Sequence, residues 1–248
     1  DSLPAVHQHR AMLEEVVAAG RRAADLTRQL LAYAGKGKVL TSKVDLTPVT
    51  REIIGLVHAS IPKSARLELD LAEELPVVDA DVSQLQQIIM NLVINAGEAI
   101  GSESAGVIRI RTGLKQLRSE DVLNLVPPDR VKQGLYVFLE GQDTGCGMSE
   151  QVLGSMFDPF FTTKFTGRGL GLSAVLGIIK GHSGALRVVS EPGKGSSFTV
   201  YLPVSSGRAE RPVDPGPPPQ AHNASVLVVD DELVVRRAAS QTLSRNGY

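Results

Sequence analysis

Residues 82–100, VSQLQQIIMNLVINAGEAI, constrain the fold more than any other stretch of the chain. Turning about 100° per residue, a helix here gathers Gln87, Asn91, Asn95 and Glu98 on one narrow stripe. Val82, Leu85, Ile89, Leu92, Val93, Ala96 and Ile100 fall on the opposite side, and Ile88, Met90 and Ile94 flank the stripe. A helix so apolar has to be covered on most of its surface, so the chain must supply a sheet or more helices around it. Its polar stripe then needs partners, because buried amides without hydrogen bonds are costly. Two asparagines one turn apart offer amide oxygens to a hard cation. Mg2+ accepts such ligands when phosphate and water oxygens fill its other positions. The same stripe also fits a solvated edge or an internal amide network.

Around this helix the pattern alternates. Further helices are expected at 48–60, 149–156 and 170–181, and strands at 66–71, 107–113, 135–142, 185–190 and 197–202. The last two strands read as a hairpin around Pro192 to Gly195. Strands that follow one another directly argue for an α+β fold, a two-layer α/β sandwich with a mixed sheet, and against a doubly wound parallel one. A net charge of −1 gives no basic footprint for nucleic acid. No apolar run reaches the roughly 18 residues of a membrane span. The single cysteine, Cys146, excludes an internal disulfide framework and favours a reducing, cytoplasmic setting. The chain opens on Asp1, so a longer parent is expected, and membrane anchoring of that parent is left open.

Two flanks lie outside the central pattern. In residues 11–34, Met12, Val16, Ala19, Ala23, Leu26, Leu30 and Tyr33 alternate four and three apart, with Leu13, Val17, Ala24 and Leu31 as a second stripe. So wide a face suits a long helix in a multi-helix bundle with a partner helix, although a surface helix on its own domain has the same pattern. GKGK at 35–38 ends it. Beyond Pro203, five prolines between 212 and 219 mark a linker over 204–224. The tail SVLVVDDELVVRRAASQTLSRNGY at 225–248 reads as a buried strand and a helix, too short to fold alone.

Four glycine-bearing stretches carry the remaining signal. DTGCG at 143–147 sets Asp143 at a strand end; a buried carboxylate only accepts hydrogen bonds, so it suits the exocyclic amine of adenine and rejects the O6 of guanine. Its glycines leave room for a flat base. DPFFTTK at 158–164 places Lys164 in reach of phosphate. GRGLGL at 167–172 runs into a helix, freeing backbone N–H groups for an anion, but it matches neither the dinucleotide fingerprint nor the P-loop. GKGSSF at 193–198 closes the series. Each alone reads as a turn; four in this order do not.

Together these residues resemble the ATP-binding domain of sensor histidine kinases, within the GHKL ATPase superfamily. The N box is NLVINA (Asn91 to Ala96), the G1 box DTGCG, the F box FDPFF (Phe157 to Phe161), the G2 box GRGLGL and the G3 box GKGSSF. The sequence style is similar to nitrogen-regulation-type and hybrid kinases, and the likeness covers about residues 40–203. It implies a histidine kinase-like ATPase fold with ATP and Mg2+ as cofactors. Asn91 and Asn95 would hold Mg2+, Asn91 and Lys164 would serve catalysis, and Asp143 would read adenine. Gly145 and Gly147 would shape the base pocket, with Thr199 near it. Thr163, Lys164, Gly167, Arg168, Gly169, Leu170, Gly171 and Leu172 would face the phosphates, and residues 154–168 would form a lid that orders on ATP.

In gyrase-like and chaperone-like relatives a water-activating glutamate stands four residues before the metal asparagine, where this chain has Asn91. An amide accepts no proton, so the resemblance implies that the γ-phosphoryl group is kept for another acceptor. Glu98 is a weaker substitute base on the same stripe. None of the five histidines, at 7, 9, 58, 182 and 222, precedes an acidic residue as a phosphoacceptor should. All read as structural or solvated; His182 follows a helix whose negative end favours its charge. Residues 1–39 are similar to the second helix of a dimerisation and histidine-phosphotransfer hairpin, with the acceptor histidine upstream. VLVVDDE resembles the start of a receiver domain, with Asp230 and Asp231 as its acidic pair. The implied partners are a second copy through the hairpin, the histidine-bearing helix and a receiver domain. The rivals are a GHKL ATPase with a conformational cycle and a non-catalytic nucleotide-sensing module.

Overall fold

The computed structural model describes residues 41–58, 61–101, 105–122, 124–127, 131–164, 169–207, 226–229 and 233–245. The expected helix at 11–34, the proline-rich linker, Asp230 and Asp231 lie outside these residues. The chain divides into two units, Asp1–Ala209 and Glu210–Tyr248.

The first unit runs β1 (Ser42–Val44), α1 (Leu46–Val57), β2 (Ala65–Leu71), β3 (Val78–Ala80), α2 (Val82–Ile100) and β4 (Gly106–Leu117). It continues through α3 (Ser119–Val122), β5 (Gly134–Asp143), α4 (Glu150–Ser155), α5 (Gly171–Gly181), β6 (Ala185–Glu191) and β7 (Gly195–Pro203). Five strands form one sheet in the order β2-β4-β5-β7-β6, parallel between β2 and β4 and antiparallel elsewhere. This is the expected mixed sheet. β1 and β3 pair separately, and Lys43 Nζ donates to Asp79 (3.3 Å) and Ser205 (2.9 Å), tying the start of the unit to its end.

Local chemistry sets the helix ends. Asp45 caps α1 by accepting from the Thr47 N–H (3.0 Å), and Pro48 sits in the first turn, where no N–H is needed. Asp81 caps α2 by accepting from the N–H groups of Ser83 and Gln84, and Gly101 ends it at φ +75°. α2 packs against α1, α5 and the middle strands of the sheet. Leu85, Ile88, Ile89, Leu92, Val93, Ala96 and Ile100 are buried against Ile108, Ile110, Val137, Leu139, Val200 and Leu202. Val82, in the first turn, is instead exposed.

The opposite face of the sheet carries a charge ladder. Glu68 accepts from Arg109 (2.8 Å), and Arg111 pairs with Asp70 (3.0 Å) and Glu140 (3.1 Å). In the second unit, α6 spans Leu233–Arg245. The buried strand expected before it is not formed: Val226, Leu227 and Val229 are exposed. A lone strand has no sheet to satisfy its backbone, and none is available within this unit among the described residues.

Candidate functional site

The site is laid out along α2. Asn91 and Asn95 are half-buried on the side of α2 that faces α5. Asn91 Nδ2 donates to the Gly171 carbonyl (3.4 Å) at the start of α5. A Cβ on Gly171 would stand 3.5 Å from Asn91 Oδ1 and 3.9 Å from Asn95 Nδ2. Glycine thus brings the α5 backbone against both amides. Leu170 is the N-cap of α5 and makes no side-chain capping bond, so the first N–H groups of this 11-residue helix are free of a protein side-chain acceptor. Leu170 itself is buried and Leu172 packs on the core, leaving their backbones to face outward. Thr163 is exposed. Gly167 and Arg168 lie outside the described residues.

Toward its C-terminal end α2 meets the DTGCG loop. The Cys146 N–H donates to the Ala99 carbonyl (3.0 Å), and a Cβ on Gly145 would fall 2.5 Å from the Ala99 carbonyl carbon. Gly147 has φ +65°, and a Cβ there would lie 2.0 Å from the Glu191 carbonyl oxygen. The space these two glycines leave is filled by protein backbone, not held open for a base. They let the DTGCG loop settle between α2 and the β6–β7 hairpin. Gly195, at φ +88°, does the same against the Asp143 carbonyl. A serine network that the sequence did not reveal locks the arrangement. Ser190 Oγ accepts from the Met148 N–H (2.8 Å), donates to the Gly195 carbonyl (3.0 Å) and lies 3.0 Å from Ser196 Oγ.

Asp143 ends β5 with 4% of its surface exposed. Burial pushes its carboxyl above the ordinary carboxylate range; the N–H groups of Gly145 (2.8 Å) and Ser196 and the charge of Lys164 work against that rise. Thr199 points the other way. It lies on the outer face of the sheet with its hydroxyl on Glu140 (3.4 Å), because it alternates with the core residues Phe198 and Val200.

Lys164 bridges the two ends. Its Nζ lies 2.5 Å from Glu98 Oε2 and 3.4 Å from Asn95 Oδ1. The asparagines, Glu98 and Lys164 therefore share one side of α2, and Asp143 is near enough to feel the charge of Lys164. A cationic group already donating to Asn95 Oδ1 shows that this oxygen is aimed where positive charge fits. Two amide oxygens beside an uncapped helix start suit a hard cation carried with phosphate. From Asn91 to Ala99 is eight residues, about 12 Å along the helix. A purine at Asp143 and phosphates at Asn91 are compatible with that spacing.

His182 is buried after α5, in keeping with its structural reading. Its Nδ1 lies 2.8 Å from the Ile178 carbonyl and its Nε2 accepts from the Asp81 N–H (3.0 Å). It pins the C-terminal end of α5 to the cap of α2. Among the described residues no helix is long and apolar enough to cross a membrane.

The sequence profile of histidine kinase-, DNA gyrase B- and HSP90-like ATPases matches residues 80–206, which hold both asparagines, Asp143 and the glycine loops. The sensor kinase CckA of Brucella abortus (strain 2308) is 36% identical over 239 residues, covering 92% of this chain and 25% of its own. The signal transduction histidine-protein kinase AtoS of Escherichia coli (strain K12) is 33% identical over 179 residues, covering 72% of this chain and 26% of its own. The chain thus spans about a quarter of these relatives' length. The nucleotide-free catalytic domain of histidine kinase ThkA superposes with a TM-score of 0.52 at 27% identity, covering 66% of this chain and 95% of that one. With a match over more than half its length, in register with the site, the chain belongs to the histidine kinase-, DNA gyrase B- and HSP90-like ATPase family.

Proposed function

We propose that residues 40–203 bind ATP and act as the catalytic domain of a sensor histidine kinase. The domain transfers the γ-phosphoryl group to a nitrogen of a histidine on a partner helix, releasing ADP, and the phosphoryl group then passes to a receiver aspartate. The observation that carries this reading is that Asn91 and Asn95 of α2 face the uncapped start of α5, while the loop after Asp143 packs on Ala99 of the same helix. Asp143 takes the adenine amine, held by its backbone N–H partners and walled by the glycine-packed loops. Asn91 and Asn95 hold Mg2+ through their amide oxygens, and the ion supplies charge neutralisation on the phosphates. Lys164 and the N–H groups at Gly169 to Leu172 orient the phosphate chain. Catalysis is then positioning plus electrostatics, and the one carboxylate beside the asparagines among the described residues, Glu98, is engaged by Lys164.

In this reading residues 1–39 are one helix of the dimerisation hairpin, 204–224 a linker and 225–248 the start of a receiver, in a protein whose catalytic part is cytoplasmic. The test mixes the chain with labelled ATP, Mg2+ and a separately made hairpin bearing its histidine. The chain should label the hairpin but not itself, and Asn95→Ala should abolish labelling. Steady ATP hydrolysis without any hairpin would replace this reading with an ATPase cycle; unchanged labelling by Asn95→Ala would remove the metal assignment.

A further inference from the structure

The nucleotide-facing lysine has a resident partner that the proposed function leaves without a task. Glu98 lies on the polar stripe of α2, one turn beyond Asn95, with its side chain 50% exposed. It contributes nothing to the core, and its one ion pair among the described residues is with Lys164 (2.5 Å). Lys164 sits at the end of the 158–164 segment, whose other anchors are internal or directed to Ser155 of α4 and to the glycine loop. The Phe161 N–H donates to the Asp158 carbonyl (3.2 Å), Thr162 Oγ1 accepts from the Lys164 N–H (3.1 Å), and the Phe160 N–H donates to the Gly169 carbonyl (2.8 Å). Phe160 adopts φ +68° and is exposed, so the turn is shaped by its backbone and not by burial of its ring. Among the described residues, the only side-chain hydrogen bonds from residues 161–164 to α2 are those of Lys164 to Glu98 and Asn95.

We propose that Glu98 is a positioning residue: its carboxylate holds Lys164 against Asn95 while the site has no nucleotide and yields the lysine to the phosphates when one binds. This rests on the nucleotide reading above. Lys164 then keeps positive charge at Asn95 Oδ1, the oxygen that reading gives to the metal, and spares two half-buried polar groups a search for partners. A single half-exposed carboxylate holds an ammonium weakly, with a benefit of at most about fivefold in an equilibrium. A triphosphate offers a denser charge, so it draws the lysine away. Glu98 thereby stabilises the nucleotide-free arrangement and opposes binding slightly.

The experiment uses the full chain, its Glu98→Gln, Glu98→Asp and Lys164→Met variants, and the Glu98→Gln/Lys164→Met pair. Amide hydrogen exchange of residues 158–164 is followed without nucleotide, and binding of a non-hydrolysable ATP analogue is titrated with Mg2+. Glu98→Gln should speed exchange in that segment about two- to fivefold and tighten analogue binding by a similar factor, while Glu98→Asp should fall between it and the parent. In the Lys164→Met background, Glu98→Gln should change neither. Unchanged exchange in Glu98→Gln overturns the proposal. So does an affinity gain that persists without the lysine, since Glu98 would then act by its own field on the phosphates. Should the parent chain fail to bind the analogue at all, the nucleotide reading falls, and with it the role in ligand exchange; the exchange rates alone still decide whether Glu98 holds Lys164.

Discussion

Replacing Asp143 with asparagine should move stability and ligand affinity in opposite directions. The carboxyl is 4% exposed, and its burial raises its pKa above that of an unfolded chain despite two backbone N–H donors and the nearby lysine. A raised native pKa means that the folded state binds its proton more tightly than the unfolded state does. The associated stability is complete below the unfolded carboxylate value, near ~3.9, and is lost as pH rises through the native value. Above that window the parent carries a desolvated charge that Asp143→Asn lacks, while the Gly145 N–H (2.8 Å) still finds an amide oxygen. The variant should therefore gain stability relative to the parent as pH increases from about 4, and the gain should level off once the native carboxyl is fully ionised. For adenine nucleotides the sign reverses. A charge-assisted hydrogen bond contributes about 1.5–3 kcal/mol, so its loss should weaken binding about 10- to 150-fold and narrow the preference for adenine over guanine. Urea unfolding at several pH values, beside titrations with ATP and GTP analogues, checks both halves. A stability difference independent of pH would refute the buried-charge argument, and equal affinity for the two purines in the parent would refute the recognition role.

Glycine placement makes two opposed predictions measurable by urea denaturation. Gly147→Ala combines a φ of +65° with a Cβ 2.0 Å from the Glu191 carbonyl oxygen, and should cost more than about 2 kcal/mol. Gly55→Ala, in α1 with nothing within 4 Å of the new methyl, should gain about 0.5–1 kcal/mol. His182→Ala removes a buried ring and its bond to the half-buried Asp81 N–H and should cost about 1–3 kcal/mol; parent-like stability would show that the contact does not matter.

What could be read in advance follows from how the information is stored. α2 was legible because its apolar and polar residues repeat with the period of the helix over 19 residues, far more than chance alternation supplies. The β6–β7 hairpin was legible because its turn residues Pro192 to Gly195 stand between two runs rich in β-branched residues. The strands β1 and β3 were not, since three residues such as SKV or VDA carry no period, and each exists only because the other lies beside it. The need for glycine at 145 and 147 was legible, but not what it serves. A glycine pair signals a close approach, and only the fold says that the approaching atoms belong to Ala99 and Glu191. The pairing of Glu98 with Lys164 was invisible for the same reason: the partners are 66 residues apart and meet through the path of an irregular segment.

The two ends of the site differ in how firmly they are held, and that difference bears on how a nucleotide is read. Around Asp143 the walls are backbone against backbone. Gly145 on Ala99, Gly147 on Glu191 and Gly195 on Asp143 leave no room for even a methyl group, and Ser190 ties the two loops together. Interiors packed so closely do not deform by small amounts, so a base bound as proposed would meet a preset surface. Around Asn91 and Asn95 the contacts are long and exchangeable: 3.4 Å to the Gly171 carbonyl, 3.4 Å to Lys164, and an ion pair open to water. The donors in these contacts, Asn91 Nδ2 and Lys164 Nζ, can turn to phosphate oxygens at little cost, because a triphosphate offers denser negative charge than the acceptors they leave. The far ends of α2 and α5 are meanwhile fixed to each other by His182 and Asp81, so an adjustment at Gly171 is taken up locally and not by sliding the helices. In the proposed reading the base is met by the rigid end and the phosphates by the yielding one, where Lys164 already has Glu98 as an alternative partner.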